Sequence, residues 1–117
     1  MKEQLSALLI TLKEGTSTFS EVLEFIADHY LHQPTAFKNG DIYNEATQNQ
    51  GSARVFAFAQ INNLTAADTL YLFAEHYRAV LESPDGTDHQ NIRQFMTHGW
   101  AGIAFEGEAL APKSEQA

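Results

Sequence analysis

The sequence predicts an all-α fold, a compact bundle of about five helices with a long packed loop at 33–51 and a short extended tail near its C-terminal end. Three observations predict it. Apolar residues recur at helical spacing through most of the chain. Two of the predicted helices are preceded by a Thr-x-x-acid capping signal, at Thr18/Glu21 and Thr65/Asp68. The composition, 44% hydrophobic with eight Phe, four Tyr and one Trp in 117 residues, suffices for one core and is too short for two ordinary domains. The expected division is a single helical domain at 1–106 followed by a flexible polar tail at 107–117, which carries Pro112 and no aromatic residue.

The elements follow in order. Leu5, Leu8, Leu9 and Leu12 lie on one helical face, and Gly15 stands where a C-terminal cap belongs, which predicts a helix over 3–14. Behind Thr18, the residues Phe19, Val22, Leu23, Ile26 and Tyr30 predict a second helix over 19–31, ended by Pro34 acting on Gln33. Residues 33–51 hold two Gly, one Pro and three Asn, the chemistry of turns. The interleaved Phe37, Ile42 and Tyr43 press this connection onto the core. Ser52 is expected to cap a third helix over 53–62. Val55–Ile61 also reads as an alternating strand, but Ala53, Ala57, Ala59 and the lack of a partner strand favour the helix. Leu70, Phe73, Ala74, Tyr77, Val80 and Leu81 predict an unbroken fourth helix over 66–82. Ser83-Pro84-Asp85-Gly86 is a turn. Asp88 then caps a fifth helix over 89–98, with His89 at its first position and Gly99 at its end. Trp100, Ile103 and Phe105 fold back as the extended tail.

Composition excludes several function classes. With no cysteine, disulfides, thiolate catalysis and zinc–thiolate sites are ruled out. A net charge of −8, with Arg54, Arg78 and Arg93 far apart, repels phosphate backbones, so no nucleic-acid partner is expected. No stretch approaches the length of a membrane span, and Leu8-Leu9-Ile10 is too short for a cleaved signal peptide. The expected location is the cytoplasm.

The remaining catalytic or ligating material is histidine and carboxylate. His29 and His32 share a helical face at the end of the second helix, and Asp85, Asp88 and His89 cluster before the fifth. Were His29, His32, His89 and Asp85 to converge, they could hold a divalent metal through nitrogen and oxygen. The competing account assigns each a structural task, with a histidine on a helix C-terminal dipole and an aspartate as a cap. No E-x-x-H or H-E-x-x-H accompanies them, so the expectation is no metal and no cofactor. Asp85, four residues before His89, is expected to reach its ring. Gly51, at a helix start, could hold an anion, although no phosphate-loop motif surrounds it. Arg78 and Arg93 could pair on a carboxylate or phosphate, and they could equally make salt bridges.

His29-Tyr30 followed by Pro34-Thr35-Ala36-Phe37-Lys38-Asn39-Gly40, the Asn44/Asn49/Gly51/Ser52 segment, Val55-Phe56-Ala57-Phe58-Ala59 and Pro84-Asp85-Gly86-Thr87-Asp88-His89-Gln90-Asn91-Ile92-Arg93 resemble the HopJ type III effector family, from about Phe19 to Phe105. The resemblance implies a pathogen protein delivered into plant cells through a type III system without a cleaved signal. It implies no settled activity or cofactor. Thr47, Ala53 and Ala74 stand where many such relatives would carry Gly, Cys and Gly, which argues against a catalytic thiol at 53 and loosens any tight-packing role at 47 and 74.

The polar residues of the loop and of the closing segment have two readings. Asn39, Asn44, Asn49, Asp85, Asp88 and Asn91 either satisfy backbone groups, which is favoured, or line one pocket. The candidate binding set is His29, Tyr30, Asn39, Asn44, Arg78, Asp85, Asp88, His89, Asn91 and Arg93. The preferred function is a monomeric binding module for a small ligand or for a host or bacterial protein. The alternative is a small enzyme built on His29, His89, Asp85 and Asp88. Convergence of these side chains on a solvent-reachable cavity separates the two.

Overall fold

Leucine periodicity and capping chemistry place the first two helices as the sequence predicts. In the computed structural model, which describes residues 1–113, α1 spans Lys2–Glu14 and ends on Gly15 at φ 82°. The helix α2, Phe19–His29, begins with a complete capping box: the Thr18 side chain accepts from the Glu21 N–H while Glu21 accepts from the Thr18 N–H. Central to the fold is α3, Gln50–Ile61. Its Ala53, Val55, Phe56, Phe58 and Ala59 are fully buried, so it is apolar on almost every side, as an internal helix must be. The Phe56 ring meets Phe73 at 5.3 Å, Phe95 at 4.9 Å and Phe37 at 6.0 Å, which ties the helices to the strands.

The all-α expectation is wrong. The molecule is mixed α/β, with short antiparallel strands in two sheets. Chain order places β1 at Tyr30–His32, β2 at Phe37–Asn39, β3 at Ile42–Asn44, β4 at Ile103–Phe105 and β5 at Leu110–Pro112. One sheet is the pair β1–β5; the other runs β3–β2–β4. The 33–51 connection therefore contains a hairpin: Asn39 pairs with Ile42 around Gly40-Asp41, with Gly40 at φ 59°. Each strand is only three residues long. That is too short to show a period of two, and the pairs Phe37↔Phe105 and Tyr30↔Pro112 join distant segments. The polar tail expected from residue 107 onward gives way over 107–113. There Ala109 and Leu110 are buried and β5 pairs with β1, while residues 114–117 lie outside the described residues.

The unbroken helix expected over 66–82 is also corrected. It divides into α4, Ala66–Tyr71, and α5, Glu75–Glu82, around Leu72-Phe73-Ala74. All three intervening residues are buried, which one helical face cannot achieve for consecutive positions. Hydrogen bonds of 3.0–3.1 Å from Leu72, Phe73 and Ala74 to the carbonyls three residues back tighten the chain before it turns. Ala74 makes the turn at φ 53°, ψ −123°. The final helix, α6, spans Gln90–His98 and leads through a 3₁₀ turn, Gly99–Gly102, into β4.

Candidate functional site

The starts of α3, α5 and α6 face one another across a cleft of about 410 Å³. Phe19, Ile42, Phe73 and Ile92 give it apolar walls. Asn49, Gly51 and Ser52 arrive with the first turn of α3, His76 with α5, and His89, Gln90 and Asn91 with α6. Among the described residues, four non-glycine residues have positive φ, and three of them are the N-cap residues of these helices: Asn49 at 52°, Ala74 at 53° and His89 at 52°. None of the three closes its helix with a side-chain hydrogen bond. Asn49 and His89 occupy the left-handed region, which Asn tolerates, whereas Ala74, at ψ −123°, holds a region open mainly to glycine at a cost of about 1–3 kcal/mol.

Two expected caps are corrected here. Asn49, not Ser52, caps α3, and Gly51 sits inside the helix without a positive φ. His89, not Asp88, caps α6. Asp88 is instead held by Arg93, whose Nη2 donates to Asp88 Oδ1 at 2.7 Å while Nε donates to the Asp88 carbonyl at 2.6 Å. Arg93 Nη1 donates to the Ser83 carbonyl at 2.8 Å, so the guanidinium fastens the 83–88 turn to α6. The Arg93 hydrogen bond to Asp88 Oδ1, against a smaller opposing effect of burial, holds the Asp88 carboxyl below its ordinary range.

The two histidines of the cleft are in contact, their ring centroids 5.0 Å apart. A carboxylate lies 4.0 Å from each, Glu75 beside His76 and Asp88 beside His89. The edge of the Phe19 ring packs 5.0 Å from His76, and its face stacks on Phe73 at 5.9 Å. Glu75 Oε1 accepts the Phe19 N–H at 2.9 Å, so α5 supplies a cap to α2. Burial would raise the Glu75 carboxyl, but its own N–H and that of Phe19, with His76 and Arg78, outweigh burial and hold it low.

Behind the cleft, asparagines form a buried network. Asn39 Nδ2 donates to the Asn91 carbonyl and to Asn91 Oδ1. Asn91 and Asn44 exchange hydrogen bonds at 3.0 and 3.2 Å, and Asn49 Nδ2 donates to Asn44 Oδ1 at 2.8 Å. This network ties the β2–β3 hairpin to the starts of α3 and α6.

Of the sequence-derived candidates, His89 and Asn91 line the cleft, and Asn39 and Asn44 support it from behind. Asp88 and Arg93 form its neighbouring clamp. Asp85 does not reach His89; it lies exposed on the turn. His29 packs on Phe25 at 4.9 Å, and the Tyr30 hydroxyl accepts from Asn62 Nδ2 at 3.2 Å, both outside the cleft. His32 Nε2 lies 3.3 Å from Gln50 Oε1. Arg78 is on α5 near Gly15 and does not line the cleft. The alternative metal set of His29, His32, His89 and Asp85 is not assembled, since no group of three such side chains suited to a metal occurs among the described residues. Phe19, His76 and Gln90 are cleft residues absent from the sequence-derived set; His76 meets His89 on α6 only because the chain breaks at Ala74.

The HopJ type III effector protein family matches residues 5–110. The chain belongs to this family. It is also similar to a crystal structure of VPA0580, described as a protein of unknown function, at 41% identity and a TM-score of 0.85 over 92% of each chain. No curated protein matches it. No helix among the described residues is long and apolar enough to cross a membrane.

Proposed function

We propose that this HopJ-family chain is a binding module that holds a small molecule in the cleft between the starts of α3, α5 and α6. The observation that carries the reading is that Asn49 and His89, both at positive φ, line one cavity of about 410 Å³, and that Ala74, also at positive φ, sits behind it between the lining residues Phe73 and His76. Costly backbone persists where the surrounding structure enforces it, and such positions concentrate at ligand sites. The volume and the mixture of aromatic walls with a few hydrogen-bonding groups suit a small ligand. The asparagine network then serves to preorganise the site. The family description, a type III effector protein, supports passage through a type III system; action in a cytoplasm, with a host or bacterial protein as macromolecular partner, extends that reading.

An amide-resolved NMR screen of small aromatic and aliphatic fragments tests the reading. Shifts should fall on residues 49–52, 73–76 and 89–92. They should vanish in Gly51→Phe, where the added side chain points at the Phe19 ring, whose atoms lie 3.6 Å from a Cβ at this position. Fragments that instead shift a second groove, lined by Val80, Leu81, Pro84, Arg93, Met96 and Thr97, and still bind Gly51→Phe, would overturn it.

A further inference from the structure

The chemistry lining the cleft selects among small molecules, and the selection rests on the binding reading above. The chain carries 15 acidic residues and a net charge of −8. Yet the described lining of this cleft contains no Asp or Glu. The polar side chains there are His76, His89, Ser52, Asn49, Gln90 and Asn91. The nearest acids are held at the rim: one oxygen of Glu75 accepts from the Phe19 N–H and one of Asp88 from Arg93, while their second oxygens stand 4.0 Å from His76 and His89. The imidazoles of His76 and His89 meet at 5.0 Å, each partly open to solvent. Two neighbouring imidazoles can share one acceptor between them. The first turns of α3 and α6, left without side-chain caps, add backbone N–H groups of the same polarity. Opposite these donors, Phe19, Phe73 and Ile92 offer an apolar wall.

We infer that the ligand is a small organic anion, with its carboxylate or phosphate held against His76 and His89 and its apolar part against Phe19 and Phe73. Metal chelation is not needed for this recognition. A neutral molecule of the same shape would keep the apolar contacts and leave the donors without a charged acceptor.

The test is an amide-resolved NMR titration of the full chain with benzoate, phenyl phosphate and the neutral benzamide, repeated on Gln90→Glu. Position 90 opens α6, where an acidic residue suits the helix dipole and offsets the loss of the exposed Gln90 hydrogen bond to the Thr87 carbonyl, so the variant should fold, which its melting curve checks. The expected result is saturable binding of an anion at least about tenfold tighter than of benzamide. The Gln90→Glu variant should lose about tenfold for the anion and keep its benzamide affinity. A preference for phenyl phosphate would assign a phosphate ester, and a preference for benzoate a carboxylate. Equal binding of benzamide, or anion binding unaffected by Gln90→Glu, would overturn the anion while leaving the cleft reading intact. No cleft shifts from any of the probes at millimolar concentration would overturn both.

Discussion

Asn39 donates through Nδ2 to both the carbonyl oxygen and the side-chain oxygen of Asn91, at 2.8 and 2.9 Å, although 52 residues separate them. Both are buried, and Asn91 also bonds reciprocally with Asn44. Removing one member leaves the others buried without partners, which costs more than the bonds themselves contribute. Asn91→Ala is therefore expected to lose on the order of 3 kcal/mol in urea unfolding. A double-mutant cycle with Asn39→Ala should show strong coupling. A loss under about 1 kcal/mol would mean that the network does not hold the hairpin to α6.

Ala74 is strained at φ 53°, ψ −123°, a region open to glycine. Ala74→Gly should raise stability by about 1 kcal/mol, because relief of strain exceeds the added freedom of the unfolded chain. Differential scanning calorimetry reads this as a higher Tm. An unchanged or lower Tm would show that the turn is not strained.

Two glycines should respond oppositely to alanine. Gly40 has φ 59°, and a Cβ there would collide with Gln94 and His98. Gly40→Ala should cost more than about 1 kcal/mol. Gly51 lies in the first turn of α3 with room for a methyl group. Gly51→Ala should be neutral or stabilising by up to about 1 kcal/mol. Paired chemical denaturation curves check the sign of each.

The carboxyl of Glu75 is lower in the folded chain than its ordinary value of 4.5. The unfolded chain therefore takes up the proton more readily. The contribution of Glu75 to stability is complete above that value and disappears as the pH falls through the lower folded one. Glu75→Gln should flatten the acid limb of the stability–pH curve below about pH 5 and change its neutral slope little. An acid limb identical to that of the parent would exclude Glu75 as a source of acid sensitivity.

Helices whose information is local were legible in the sequence. The Thr18/Glu21 box and Gly15 both act where their residue types predict. Strands were not legible, because each has three residues and the pairing partners lie far along the chain. The Asn39-Gly40-Asp41 step did carry a hairpin signal, which the absence of long alternating runs masked. The break at Ala74 was hidden by the residue itself. Alanine favours helix, and the glycine expected at this position in relatives would have marked the turn. Half of the site was therefore visible: His89 and Asn91 stood out by type, whereas His76 became a site residue only through that break.

The pairing of Tyr30–His32 with Leu110–Pro112, and of Phe37–Asn39 with Ile103–Phe105, also governs when the molecule can fold. A chain leaving the ribosome can form α1, α2 and the β2–β3 hairpin from contacts already at hand. Strands β1 and β2 lack their remaining partners until residues 103–112 emerge, and each pairing closes a loop of most of the chain. The fold is thus completed only once residues 103–112 are at hand, and a nascent chain stalled before residue 103 would present unpaired strand edges to its surroundings.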